Sequence, residues 1–195
     1  GGPATAIPGM EATAEELAAL NAELGFDRPF LVQYADWFGG VFQGDWGQSY
    51  FLDMSVLDAI GEYLWPTFSL AIYAELISLL LSVPLGILAA YKRGTLVDTA
   101  TVSVSLLGIA LPGFLLSMFL MLFFGVTLKW LPVAGYVELS KGFFEHVRYL
   151  TLPALSLGLV QAAYITRMTR SSMLDVLGQD YIRTAKAKGV SGPKI

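Results

Sequence analysis

The chain has 195 residues, of which 55% are hydrophobic and only 14% are charged, and its mean hydropathy is +0.60. Since soluble domains contain roughly 25% charged residues, this composition excludes an ordinary soluble protein and indicates an integral membrane protein. The sequence contains no cysteine, which excludes a disulfide framework and a thiolate metal site.

Acidic and basic residues are segregated along the chain, although the net charge is only −4. Ten acidic residues precede Pro66, against the single base Arg28. Beyond Thr166 the bases outnumber the two acids, Asp175 and Asp180, and these bases are Arg167, Arg170, Arg183, Lys186, Lys188 and Lys194. Lysine and arginine accumulate on the cytoplasmic side of membrane proteins, so the C-terminal end is predicted to be cytoplasmic.

Residues 1–65 are predicted to form an external segment with short amphipathic helices. The chain begins with Gly1-Gly2-Pro3, without an initiator Met or a signal-peptide pattern, so we expect it to be a fragment of a longer protein. Thr13 and Glu16 fit a capping box, and a leucine stripe follows at Leu17, Leu20 and Leu24. The first helix is therefore predicted to end before Gly25.

A second short helix is predicted to begin at Pro29 and to carry an aromatic-rich face. That face comprises Phe30, Tyr34, Trp37, Phe38 and Val41. Tryptophan and tyrosine favour the headgroup level of a bilayer, so we prefer an interfacial anchor, and a contact for a partner protein is the alternative.

The first membrane span is predicted from Pro66 to Tyr91, running from outside to inside. Pro66 is expected in the first helical turn, the run is long enough for a hydrocarbon core of about 30 Å, and Lys92-Arg93 follow at the inner end. Glu75 lies near the middle of this span. It either lines a translocation path or is neutralised by a proton or a neighbouring helix.

The second span is predicted from Asp98 to Leu128, with a break or bend at Pro112-Gly113. An external loop should follow from Lys129 to Tyr149. It contains His146, the single histidine of the sequence, which we expect to be solvated or interfacial because one histidine without cysteines or a carboxylate cluster is a poor metal site. No metal site is predicted.

The third span is predicted from Leu150 to about Arg170 and runs from outside to inside. Gln161 within it could bond to another helix or to a solute, and it joins Glu75 as a candidate for the translocation path. Arg167 and Arg170 can reach lipid phosphates at the inner surface, which we prefer, or meet acidic groups on a partner.

The C-terminal stretch is predicted to be helical from Met173 to Lys188 and to end in a left-handed C-cap at Gly189. Ser191 can cap a second helix that has Pro193 in its first turn. The predicted product is a helix, a glycine turn and a second helix start below the bilayer.

Two motifs resemble those of a known family. The run Tyr181-Ile182-Arg183-Thr184-Ala185-Lys186-Ala187-Lys188-Gly189 resembles the EAA loop of inner-membrane permeases of ATP-binding-cassette importers, in the dipeptide, oligopeptide and nickel branch. Ala185 and Gly189 match that loop, whereas Arg183 and Thr184 replace its Glu and first Ala. The run from Leu24 to Tyr50 is similar to the periplasmic segment after the first span of these permeases.

The resemblance implies an all-α integral membrane protein of the bacterial inner membrane. Three transmembrane helices of an expected six would be present here, in residues 66–175, between a periplasmic segment, residues 1–65, and a truncated cytoplasmic coupling loop, residues 176–195. The loop would dock an ATPase through Tyr181, Arg183, Thr184, Ala185, Lys186, Lys188, Gly189 and Val190. Implied partners are ABC ATPase subunits, a second, homologous permease subunit, a periplasmic solute-binding protein and the lipid bilayer.

The resemblance further implies a non-catalytic subunit of an ATP-driven importer for peptides or nickel. The sequence contains no P-loop, no Ser/His/Asp set and no zinc-protease motif, so no cofactor is expected in this chain, and ATP would be bound by partner subunits. The alternative is a channel or secondary transporter without an ATPase, which would give no reason for the spacing of Ala185 and Gly189.

Overall fold

Helices form most of the chain in the computed structural model, which describes residues 13–49 and 51–191. The chain divides into two compact units, Gly1–Trp65 and Pro66–Ile195. The helices are α1 (Ala14–Glu23), α2 (Phe30–Phe42), α3 (Val56–Tyr91), α4 (Leu96–Ala110), α5 (Gly113–Leu120), a π-helix (Met121–Thr127), a 3₁₀ turn (Leu139–Lys141), α6 (Phe143–Leu177) and α7 (Asp180–Ala187). Two short strands, β1 (Gln48–Ser49) and β2 (Met54–Ser55), pair antiparallel.

Helix α1 begins with the predicted capping box. The Thr13 hydroxyl accepts from the Glu16 N–H, and the Glu16 carboxylate accepts from the Thr13 N–H at 2.7 Å. These bonds from Thr13, first from its backbone and then from its side chain, hold the pKa of Glu16 below its ordinary value. The helix ends at Glu23, and Gly25 takes φ +70°, so the predicted end is confirmed.

Helix α2 carries the predicted aromatic face as a ladder of rings. Phe30 stacks on Tyr34, Tyr34 stacks on Phe38, and Phe38 meets Phe42 edge to face, with centroids 6.4, 5.7 and 4.9 Å apart. This spacing of four residues places the rings on one side of a helix. No residue of α2 is buried, so the ladder is exposed on this chain.

Helix α3 begins ten residues before the position predicted for it. The Ser55 hydroxyl accepts from the Asp58 N–H at 3.0 Å and donates to the Asp58 carboxylate at 2.7 Å, which caps the first turn. Pro66 is therefore inside α3 and not in its first turn, and that prediction was wrong. The hairpin of β1 and β2 supplies the capping serine directly before the helix.

Helices α3 and α6 pack closely and run parallel within the second unit. A Cβ atom at Gly158 would lie 2.8 Å from the Ala74 carbonyl oxygen, and one at Gly86 would lie 2.8 Å from the Thr166 carbonyl oxygen. The contact uses a buried stripe of small residues on α3, namely Ala74, Ser78, Ser82, Gly86 and Ala90. Small residues let membrane helices approach to backbone contact.

Helix α4 runs antiparallel to α6. Gly108 of α4 faces Ala163, and Gly113, at the start of α5, faces Val160, with 3.1 and 3.9 Å to the neighbouring side chain for an added Cβ. The predicted break at Pro112-Gly113 is confirmed, because Leu111 and Pro112 are both extended and the two helical stretches on either side differ in direction by 101°.

Two helices, α3 and α6, are long and apolar enough to cross a membrane, and the bent pair from Leu96 to Thr127 counts as a third if it is one broken span. The fold class is therefore the predicted one, mostly helical and membrane-spanning. The number of three crossings stays a prediction.

The segment after the bend differs most from expectation. Helix α6 begins at Phe143 and extends to Leu177, so it is longer at both ends than the predicted span.

His146 lies in the first turns of α6 and is buried, with 7% of its surface exposed. Its Nδ1 is 2.6 Å from the Val137 carbonyl oxygen, and its ring packs edge-on against Tyr136. The prediction of a solvated histidine was wrong, because the preceding loop folds back over the helix, and the interfacial alternative stays a prediction.

Candidate functional site

The candidate site is an elbow formed by residues 178–190 after the long helix α6. Helix α6 ends at Leu177, and Gln179 is extended, with its side-chain amide donating to the Asp175 carbonyl at 3.2 Å. The continuous helix predicted from Met173 to Lys188 is therefore wrong. Two features end α6: the glycine at 178 and the side chain of Gln179, which satisfies a terminal carbonyl. Helix α7 then begins at Asp180.

The elbow ends in the predicted left-handed glycine. Gly189 has φ +82°, its N–H donates to the Lys186 carbonyl at 3.0 Å, and the Val190 N–H donates to the Ala185 carbonyl at 3.1 Å. These two bonds are a Schellman motif, which requires a residue that tolerates positive φ. The second helix predicted from Ser191 through Pro193 lies outside the described residues.

One side chain anchors α7 to the rest of the unit. Ile182 is buried with 5% exposure, while its neighbours on both sides, Tyr181 and Arg183, are exposed. The exposed residues among those predicted to dock an ATPase are Tyr181, Arg183, Thr184, Lys186, Lys188, Gly189 and Val190, and Ala185 is half-buried. The predicted docking residues thus lie together on α7 and on the three residues that follow it.

Arg183 forms an ion pair within the elbow. Its guanidinium is 3.5 Å from the Asp180 carboxylate, and both side chains are more than three-quarters exposed. A pair so open to water contributes little stability, so Arg183 remains free to meet an acidic group on another protein.

A charged pair that the sequence did not predict joins two helices of the second unit. Arg170 binds Asp98 through two parallel bonds, Nε to Oδ1 and Nη2 to Oδ2, the second at 2.8 Å. Asp98 also accepts from the Gly94 N–H at 3.0 Å, and its side chain is 8% exposed. The expectation that Arg170 reaches a lipid phosphate was wrong, since its guanidinium joins α6 to the first turn of α4.

The two candidates for a translocation path lie on different helices. Glu75 is exposed on α3, and Gln161 is exposed on α6, where it lines an open groove of about 510 Å³ with Tyr164, Arg167 and Met168. Among the described residues no hydrogen bond joins Glu75 to Gln161. Within the same part of the chain, no group of three or more His, Asp or Glu side chains could hold a metal ion.

Comparison with known proteins gives a family match. Residues 82–195 match the family described as "binding-protein-dependent transport system inner membrane component". This region contains α4 to α7 and the charged pair, as well as the elbow.

Similar proteins extend over almost the whole chain. A putative peptide transport system permease protein of Brucella abortus (strain 2308) is 44% identical over 98% of this chain, and a probable peptide ABC transporter permease protein of Sinorhizobium fredii is 39% identical over 98%. A glutathione transport system permease protein of Salmonella choleraesuis is 38% identical, also over 98%. The chain spans about three fifths of the length of these relatives, at 61%, 61% and 60%.

Proposed function

The chain belongs to the inner membrane components of binding-protein-dependent transport systems, and from this premise we propose that it is part of a permease subunit of an ATP-driven peptide importer. Such a subunit forms the translocation path and is not itself catalytic. Apolar helices of membrane-spanning length support a multi-pass protein of the inner membrane.

The elbow is the observation that carries this proposal. It is a short helix held by one buried residue, Ile182, and closed by Gly189, and it exposes Arg183 and Lys188. Such an exposed and basic helix at the end of a span suits docking to a separate motor protein. A channel or secondary carrier would have no need for it.

The proposed orientation places the elbow in the cytoplasm and the first unit in the periplasm. Because α3 and α6 are parallel, Lys92 and Arg93 after α3 lie at the same end of the second unit as Arg170 and the elbow. Lysine and arginine gather at the cytoplasmic surface, which supports this orientation.

The proposed partners follow from the family and from the site. The family description names a binding-protein-dependent system, which supports a periplasmic solute-binding protein. We propose in addition ABC ATPase subunits, which would bind the ATP, and a second permease subunit that completes the path. The relatives' names refer to peptides and glutathione, which favours a peptide-class solute over nickel.

In the proposed mechanism, ATP-driven closure of the ATPases moves the elbow, and the elbow moves α6. The Asp98–Arg170 pair carries the movement from α6 to α4, so the two helices shift together. Glu75 and Gln161, exposed on this chain, are proposed to face the path, where a carboxylate would meet the positive end of a zwitterionic peptide.

The docking role is tested by retention of the ATPase on the membrane-bound permease. Gly189→Val forces a β-branched residue to φ +82°, and a left-handed residue costs roughly 1–2 kcal/mol, so ATPase retention should fall about fivefold to thirtyfold. Gly189→Asn is the matched control, because asparagine tolerates this conformation, and it should retain the ATPase nearly as the parent does.

Membrane abundance of both variants is measured alongside. No atom lies within 4 Å of an added Cβ at Gly189, so the strain of the valine variant is confined to its own backbone, and a loss of retention counts only at equal abundance. Equal retention of the ATPase by the valine, asparagine and parent proteins would exclude the elbow as the docking element.

A further inference from the structure

A cavity of about 340 Å³ lies between the elbow and the ends of the two long helices. Ala90 and Tyr91 of α3, Arg93 after it, Leu174 and Leu177 of α6, and Gly178 and Lys186 of the elbow form its walls. The cavity is therefore bounded by the spans on two sides and by α7 on the third. The cavity is open to the surroundings, and Tyr91 in its wall is 69% exposed.

Lys186 lines this cavity because of its position on α7. It follows the buried Ile182 by four residues, so the two side chains lie on the same face of the helix, the face that packs toward the spans. Thr184 lies on the opposite face, and Arg183 lies to one side. Lys186 is exposed like the other bases of the elbow, but it differs from Arg183 and Lys188 because it lines this cavity.

Arg93 and Lys186 bring two positive charges to the cavity, and Arg93 also acts through space on the carboxylate of Asp98. Neither Arg93 nor Lys186 makes a salt bridge with any carboxylate that the structure describes. The nearby carboxylate of Asp98 is already held by Arg170 through two bonds and by the Gly94 N–H. A bound anion would neutralise the positive charges of Arg93 and Lys186.

The walls show which anion fits. Leu174, Leu177 and Ala90 supply apolar surface beside the two cations, and the exposed Tyr91 ring stands at the end of a span, where aromatic side chains favour the headgroup level. A basic pocket between span ends on the cytoplasmic side suits an anionic lipid headgroup. An acidic side chain of an ATPase would meet the outward residues of α7 before it reached this side of the helix.

We infer that this cavity binds the phosphate headgroup of an anionic phospholipid, held by Arg93 and Lys186 between the elbow and the span ends. The lipid would thereby brace the elbow against α3 and α6. The inference rests on the proposed orientation, since it requires this end of the unit to lie at the inner leaflet.

The test measures lipid binding to the detergent-solubilised intact permease, without the ATPase, by native mass spectrometry. Short-chain phosphatidylglycerol is the probe, short-chain phosphatidylcholine tests the need for net charge, and inorganic phosphate tests a free-anion source. Arg93→Gln and Lys186→Gln should each weaken phosphatidylglycerol binding about fivefold, since each cation near an anionic membrane surface strengthens binding by roughly that factor. Arg183→Gln, which removes an exposed cation of the same helix outside the cavity, is the matched control and should bind as the parent does.

Phosphatidylcholine binding should be weak and equal in all four proteins, and equal membrane abundance of the four shows that the variants are folded. Equal phosphatidylglycerol binding by all four proteins would overturn the site, and inorganic phosphate competing as strongly as the lipid would overturn the lipid assignment. If the Arg93 and Lys186 variants lose ATPase retention while their lipid binding is unchanged, the cavity binds the ATPase and not a lipid. If the Gly189 variants retain the ATPase equally while lipid binding still depends on Arg93 and Lys186, the docking proposal fails and the lipid site stands.

Discussion

Asp98 and Arg170 are separated by 72 positions in the sequence and form the best-buried ion pair among the described residues. Each residue was visible as a charge near the end of a predicted span. The sequence did not show that α4 runs antiparallel to α6, which is what brings the two charges to the same depth. Pairing of single charges across helices depends on helix register, and register is a property of packing that periodicity alone does not contain.

Removing one partner of this pair should harm the protein more than removing both charges together. Asp98→Asn or Arg170→Gln leaves a charge without its partner between α4 and α6, so we expect membrane abundance to fall severalfold. The double variant should recover part of the loss. Arg167→Gln is the control, because Arg167 is exposed three residues away. Equal abundance of the single variants and the control would contradict a structural role for the pair.

Helix existence and the helix ends that carry a local signal were predictable from the sequence, whereas the starts of the two long helices were not. The capping box at Thr13 and the left-handed Gly189 are local signals, so both were found. Helix α3 starts early because Ser55 caps it after a small hairpin, and α6 starts early because a loop covers His146. Both features depend on contacts between neighbouring segments, whereas the hydropathy pattern marks only the part of a helix that is apolar.

The close approach of α3 to α6 predicts a strong effect at Gly86. An added Cβ would lie 2.6 Å from Thr169 Cβ and 2.8 Å from the Thr166 carbonyl oxygen, so Gly86→Ala must push the two helices apart. We expect a loss of about 1–3 kcal/mol in the free energy of unfolding, measured by denaturant titration in detergent.

The control is Gly61→Ala in the same helix, where nothing lies within 4 Å of an added Cβ. There the substitution should stabilise by up to about 1 kcal/mol, because alanine is the better helix former. A Gly86 variant as stable as the Gly61 variant would show that the parallel packing of α3 on α6 is absent.

At the scale of the whole molecule, charge segregation and two short motifs were sufficient to predict the family. Residues 82–195, which contain the elbow motif, match that family. The path residues could not be predicted to the same degree. Glu75 and Gln161 are exposed on this chain, and what they face in an assembly depends on surfaces outside it.

The proposed orientation can be tested by cysteine labelling, because the sequence has no cysteine of its own. Lys188→Cys, in the exposed elbow, should react with a membrane-impermeant thiol reagent only after the cells are opened. Ser140→Cys, in the exposed loop before α6, should react in intact cells. Labelling of the Lys188 variant from outside intact cells would reverse the orientation and remove the ATPase proposal with it.

From Ala154 to Leu177, helix α6 has no proline and no break, and at about 1.5 Å per residue it forms a rod of about 36 Å. A rod of this length is a lever. Rocking it by about 10° around its middle carries each tip roughly 3 Å, in opposite senses. Work delivered at the tip that we propose to be cytoplasmic would therefore appear as an equal and opposite stroke near the other surface of the bilayer, while every hydrogen bond of the helix stays intact.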